Sequence, residues 1–143
     1  MEVRTPNTES EWEAYYDLRF RILRKPLNKE RGSERNDGDQ KGIHFALYHQ
    51  NELLAIARLD KSAEKVSQTR FVAVESGRER KGYGRLIMRA CENEARRNGY
   101  EKMILHAREN ALEFYKAQGY EEVKKTHVLF GQVQHYMMQK SLL

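Results

Sequence analysis

Val72-Ala73-Val74-Glu75-Ser76-Gly77-Arg78-Glu79-Arg80-Lys81-Gly82-Tyr83-Gly84-Arg85-Leu86-Ile87 is the stretch on which the reading of this chain turns. An apolar run of strand type breaks into a charged loop, and two glycines then open a segment of helical periodicity. A glycine-bearing strand-to-helix turn lets backbone N–H groups close on an anion, and the helix N-terminus adds its partial positive charge. Arg78, Arg80, Lys81 and Arg85 add full charges to the same turn. The segment reads as a site for a polyanionic phosphate ligand of nucleotide type. The alternative is a plain helix start behind a solvated charged loop.

Downstream, Leu86, Ile87, Ala90, Cys91 and Ala95 recur on one face of a helix expected over Gly82–Asn98, and Gly99 is placed to end it. Lys102–Ala107 reads as a short apolar strand, and Asn110–Gln118 as a short helix closed by Gly119. Glu122–Phe130 and His135–Leu142 read as two last strands, with Gly131 in the turn between them. Upstream, Val66–Val74 is a strand, as are Leu53–Asp60 and Ile43–His49, the last two joined by a turn at Gln50-Asn51-Glu52. Asn28–Gly42 is polar and nearly devoid of apolar residues, which predicts a mobile surface loop, either a binding loop or a connector. Trp12, Tyr15, Tyr16, Leu18, Ile22 and Leu23 mark a first helix that ends before Pro26 and starts at a cap on Thr8 or Ser10. Glu2–Arg4 is a short first strand. The order predicts a single α/β domain over residues 1–143, a mixed sheet with antiparallel hairpins around a central strand-helix-strand unit whose strands run parallel.

The 143 residues suffice for a core without disulfide or metal staples. Cys91 is the only cysteine, which excludes a disulfide framework and a cysteine metal site, and the five histidines lack metal-ligand spacing. No apolar run approaches the roughly 20 residues needed to cross a bilayer. Met1-Glu2-Val3-Arg4 has no signal-peptide core, so a cytoplasmic location is expected. The net charge of +5 suits an anionic ligand. Its dispersal along the chain argues against a nucleic-acid-binding module, which would need a basic face interleaved with exposed aromatics.

The loop Val72–Arg85 and the later run Ala111-Leu112-Glu113-Phe114-Tyr115-Lys116-Ala117-Gln118-Gly119-Tyr120 together resemble the GNAT superfamily of acyl-CoA-dependent N-acyltransferases. Element order and length are similar to that fold over essentially the whole chain. Leu18–Leu27, His44 and His135 resemble a poorly characterised bacterial branch of the superfamily. Three positions depart from the family pattern. Glu79 stands where Gln or Arg is usual in the phosphate loop, with Arg80 where a small residue is common, and Arg108 replaces a frequent Asn, with Asn110 nearby. Glu79 is expected to face solvent or to pair with a neighbouring arginine.

The resemblance implies direct transfer of an acetyl or other acyl group from CoA to an amine, with acetyl-CoA as cosubstrate and no metal. The pyrophosphate would lie on the backbone of Arg80, Lys81, Gly82, Tyr83, Gly84 and Arg85. The peptide-like pantetheine arm would pair with the edge of Val72 to Val74, as an added strand would. Tyr115 matches the family's proton donor to the departing thiolate. Many relatives carry a base on the central strand, where this chain has Gln68, Thr69 and Arg70. His106 and His135 are the first candidates for the base, with His44, Asp60 and a water behind them. Arg58 is a candidate for an acidic substrate group. The aromatic stripe Trp12, Tyr15, Tyr16 and Phe20 reads as core, and Cys91 as an inert buried thiol. The acceptor is a small-molecule or a protein amine, with neither nucleic acid nor membrane as partner, and the C-terminal strands are where two copies could pair. The competing reading is a CoA-binding sensor or scaffold of the same fold without turnover.

Overall fold

The computed structural model describes residues 1–143. The elements are β1 (Glu2–Arg4), α1 (Glu9–Leu23), β2 (Ile43–His49), β3 (Glu52–Ala63), β4 (Val66–Val74), α2 (Tyr83–Arg97), β5 (Lys102–Arg108), α3 (Leu112–Lys116), β6 (Glu121–Leu129) and β7 (Val133–Ser141). One seven-stranded sheet has the order β1-β2-β3-β4-β5-β7-β6. Every pairing is antiparallel except β4 with β5, which is parallel and flanks the crossover through α2. The expected mixed α/β sheet with its central strand-helix-strand unit is the observed one. No helix is long and apolar enough to cross a membrane.

Helices cover both faces because β2 and β3 are apolar on both. Phe45, Leu47, Ala55, Ala57 and Leu59 pack with Ile87, Met88, Cys91 and Ala95 of α2 on one face. Ala46, Tyr48, Ile56 and Ala73 pack with Tyr15 and Leu18 of α1 on the other. Alternation of side chains along a strand makes this partition. The α2 stripe differs from the expected one at one position: Leu86 is exposed and Met88 is buried in its place. Thr8 caps α1 in a capping box with Glu11, so Thr8 rather than Ser10 sets its start. The predicted helix Asn110–Gln118 is shorter, one 3-10 turn at Glu109–Ala111 followed by five residues of α3.

The segment Asn28–Gly42 is more structured than its polarity predicts. It contains a 3-10 turn at Asp37–Gln40 with its own capping box, Asn36 to Asp39. Asp39 holds two arginines of the core, Arg19 and Arg58, each through one 2.8 Å bond. Both guanidinium side chains are fully buried. Glu34 is buried as well. Polar residues read as solvent-facing here anchor the segment to the core through charges that arrive from α1 and β3.

Candidate functional site

The site begins at a break in the sheet. The β4–β5 ladder ends at Gln68 and Ile104, whereas β4 continues to Val74 and β5 to Arg108. The cause is a bulge in β4. Opposite β3, Arg58 pairs with Arg70 and Ile56 with Ala73, so β4 spends one residue more than its partner. Phe71 sits in the bulge with φ of 57°. A bulge bends its strand and increases the local twist. Beyond it the strands diverge, leaving a cleft of about 200 Å³ and an unpaired edge on β4 at Val72–Val74.

At the end of β4 the chain enters the loop Glu75–Gly82. Arg21 of α1 holds Glu75 with two bonds, 2.8 and 3.0 Å, and keeps its carboxyl below the usual carboxylate range. Glu79 faces solvent, and its carboxylate accepts the Gly77 N–H rather than an arginine. From Glu79 to Arg85 no backbone N–H has an acceptor within the protein, the first such bond being Leu86 to the Gly82 carbonyl. This run of free donors ends on the N-terminus of α2, where Gly82 is the cap residue and supplies no side-chain acceptor. Gly82 adopts φ of 86°, a conformation that costs other L-residues of order 1–2 kcal/mol. Gly84 is needed for space: a Cβ there would lie 2.9 Å from Phe114 Cζ. The predicted anion-binding positions Arg80, Lys81, Gly82, Tyr83, Gly84 and Arg85 are therefore contiguous with the free edge at Val72 and Val74. No ion pair occupies Arg80, Lys81 or Arg85.

Tyr115 of α3 lies in the wall of the cleft. Its ring meets Phe114 and Tyr120 edge-on, at 4.9 and 5.8 Å between centroids. Its hydroxyl has no hydrogen-bond partner in the protein and is not sealed from solvent. Burial raises its pKa, countered by the nearby Arg108 guanidinium, so the phenol is protonated at neutral pH.

His106 and His135 come together in the same cleft, joined by His127, which the sequence reading missed. His127 stacks on His135 at 4.6 Å and meets His106 edge-on at 5.5 Å. Strand alternation could not have flagged it, because Thr126 and His127 sit where β6 pairs irregularly with β7 and the period of two is broken. His135 Nδ1 lies 3.0 Å from the Val133 carbonyl, which can only accept; Nδ1 therefore carries the proton and Nε2 the lone pair. Burial lowers the pKa of His135 and of His106, and the charges of the other cleft histidines and of Arg108 or Arg70 add to it. The trio does not form a group that could hold a metal ion.

The other candidates are spent elsewhere. His44 Nε2 donates to the Asp39 carbonyl at 2.8 Å and Nδ1 meets the Tyr15 hydroxyl at 2.7 Å, so neither nitrogen is free. Asp60 holds Arg58 through two bonds, 2.8 and 2.7 Å, and Arg58 is further bound by Asn36 and Asp39. Neither residue is open to a ligand. Cys91 is fully buried, and burial pushes its thiol well up.

The geometry has counterparts among known proteins. A Lactobacillus plantarum protein assigned to the N-acetyltransferases superposes with a TM-score of 0.86 at 21% identity, covering 99% of this chain and 98% of that one. An aminoglycoside 6'-N-acetyltransferase complexed with coenzyme A gives 0.85 at 17% identity, covering 100% and 98%. A Bacillus subtilis acetyltransferase in complex with CoA gives 0.78 at 15%, covering 99% and 100%. At these identities the likeness is one of fold. The sequence profile of the family described as Acetyltransferase (GNAT) family matches residues 9–120, most of the chain. By that match, and by a fold that agrees with it throughout, this chain belongs to the GNAT acetyltransferase family.

Proposed function

We propose that the protein transfers an acetyl group from acetyl-CoA to a primary amine by direct attack on the thioester. The observation that carries this reading is the unbroken run of free backbone N–H groups from Glu79 to Arg85, opening beside a sheet edge that leads to Tyr115. The donors at the α2 N-terminus suit a pyrophosphate, and Arg80, Lys81 and Arg85 add charge around it. The edge Val72–Val74 suits the amides of a pantetheine arm. A strand-end N–H there stabilises the tetrahedral oxyanion. The amine nitrogen attacks the thioester carbon, the C–S bond breaks, the thiolate takes the Tyr115 proton, and the second proton, which the nitrogen sheds on becoming an amide, returns through water to the Tyr115 phenolate. The ammonium proton goes first to His135 Nε2, directly or through water, with His106 as the second candidate. The cations of the cleft also disfavour an ammonium, which lowers the amine pKa and eases its deprotonation.

The test is thermal unfolding with acetyl-CoA, with CoA and with inorganic phosphate. At ~100 times its dissociation constant a ligand adds about 2.7 kcal/mol to stability. A rise in Tm with acetyl-CoA but not with phosphate, followed by amine-dependent thiol release, is the expected result. Binding without thiol release from any amine would favour the non-catalytic CoA sensor.

The pH profile follows from the histidines. His135 faces His127, His106 and Arg108, all of which resist its protonation, and its pKa lies below the ordinary 6.5. Burial is the main cause, only partly offset by the Val133 carbonyl, so the base is mostly neutral at pH 7 and the acid limb of kcat is expected to be centred below 6.5. An acid limb centred above pH 7 would exclude this histidine, and His135→Gln should remove the limb altogether.

A further inference from the structure

Three arginines and three histidines line the cleft, and no aspartate or glutamate does. Resting on the function proposed above, we infer that the acceptor is a small amine carrying its own negative charge, a carboxylate or a phosphate, held by Arg24 and Arg70 with Arg108 beside them.

The contrast with the neighbouring arginines carries the argument. Four guanidinium groups surround the Phe71 ring, with their carbons 4.3 to 5.6 Å from its centroid: Arg19, Arg24, Arg58 and Arg70. Arg19 and Arg58, which do not line the cleft, are neutralised by Asp39 and Asp60. On the cleft side, Arg24 and Arg70 have no carboxylate within ion-pair distance, and nor has Arg108. Arg24 is 8% exposed, yet its only partners are the Ser33 and Leu23 carbonyls. Arg108 also reaches the Leu23 carbonyl, at 2.9 Å. The Arg70 side chain makes no hydrogen bond within the protein and lies over the Phe71 ring at 5.1 Å. The carboxylates in the vicinity are already engaged: Glu34 by Arg35 and the Gly32 N–H, Asp39 and Asp60 by the core arginines.

Of the three only Arg24 is buried, Arg108 being half-buried and Arg70 exposed at the cleft mouth, and a buried cation is ordinarily paired because its desolvation is otherwise uncompensated. Unpaired guanidinium groups converging on one cleft repel each other and leave a site that an anion completes. Their planar forks match a carboxylate or a phosphate. The same field opposes a polyamine or an aminoglycoside, whose charges are all positive. Stacking on Phe71 holds Arg70 in place without neutralising it.

The experiment uses matched amines: an α-amino acid against its carboxamide, phosphoethanolamine against ethanolamine, and spermidine as a polycation. For each, kcat/KM is read by thiol release at fixed acetyl-CoA, and binding to the CoA-loaded protein by calorimetry. The charged member of at least one pair is expected to be favoured tenfold to a hundredfold, the range that a hydrogen bond to a charged group supplies. The pair that responds separates a carboxylate acceptor from a phosphate one. Arg70→Gln, at an exposed position, should raise KM for that acceptor and collapse the preference, with the acetyl-CoA thermal shift intact; Arg24→Gln should do the same. Equal or absent binding and equal rates across both pairs, a preference for spermidine, or a preference that survives in both variants would overturn the inference. Anion-selective binding without thiol release would instead refute the proposed acetyl transfer, and with it the role of acceptor, while upholding the anion site at Arg24 and Arg70.

Discussion

Replacing Tyr115 with phenylalanine is expected to lower kcat about 10²-fold while leaving acetyl-CoA binding and the fold in place. Loss of a positioned general acid costs 10²- to 10⁴-fold in general. The lower end applies because a thiol titrates near ~8.5, so a thiolate is already a competent leaving group at neutral pH. The substitution is clean. The ring keeps its edge contacts with Phe114 and Tyr120. The hydroxyl has no hydrogen bond within the protein to lose, so no partner is stranded. Steady-state rates at saturating acetyl-CoA and amine, read beside the acetyl-CoA thermal shift, check this. A kcat within threefold of the parent would remove Tyr115 from the chemistry and leave it as a packing residue of α3.

The largest expected effect on stability lies at Asp39. Its Oδ1 accepts from Arg19 and from Arg58, each at 2.8 Å, and its Oδ2 accepts the Asn36 N–H at 2.9 Å. Asp39→Asn keeps the shape but removes the charge between two guanidinium groups that solvent does not reach. Arg58 would retain Asp60. Arg19 would be left with neutral acceptors only, the amide oxygen in place of Asp39 Oδ1, the Tyr15 hydroxyl and the Glu34 carbonyl, and with an Nε that already has none. Breaking a buried pair in this way costs about 3–5 kcal/mol. For a chain of this length that is a fall in Tm of roughly 10 °C or more. Thermal and urea unfolding measure it, and a loss below 1 kcal/mol would mean that water reaches these arginines. The sign of the pH effect is fixed as well. Burial raises the Asp39 pKa, but the Asn36 N–H and the two arginines outweigh it, and the net shift is downward. The contribution is therefore complete above the ordinary carboxylate value and is lost as pH falls through the lowered one.

Much of the fold is legible in local pattern. The observed bounds of Glu2–Arg4, Ile43–His49 and Val66–Val74 are the predicted ones. The α2 helix agrees within a residue at each end, because a glycine stands at its start and another follows its end. The loop of unpartnered donors was legible for a related reason: its donors belong to the backbone, and Gly82 and Gly84 mark where the backbone must turn and where α2 must pack closely against Phe114. Asn28–Gly42 was misread because polarity reports how well a residue tolerates water, not whether a buried charge waits for it elsewhere. His44 looked like a free base until Tyr15 and the Asp39 carbonyl were seen at its two nitrogens.

By itself the sequence determined the mixed sheet, the strand-helix-strand centre and the loop of free N–H groups, all of which rest on neighbours in the chain, while the candidacy of Tyr115 came from the family resemblance. Only the tertiary structure decided the character of the cleft. Arg24 comes from the end of α1, Arg70 from the bulged strand and Arg108 from the end of β5, and the divergence of β4 from β5 brings them to one wall. The carboxylates that would have neutralised them are drawn to Arg19 and Arg58. The pairing of charges depends on distances across the fold, and no spacing along the chain encodes them.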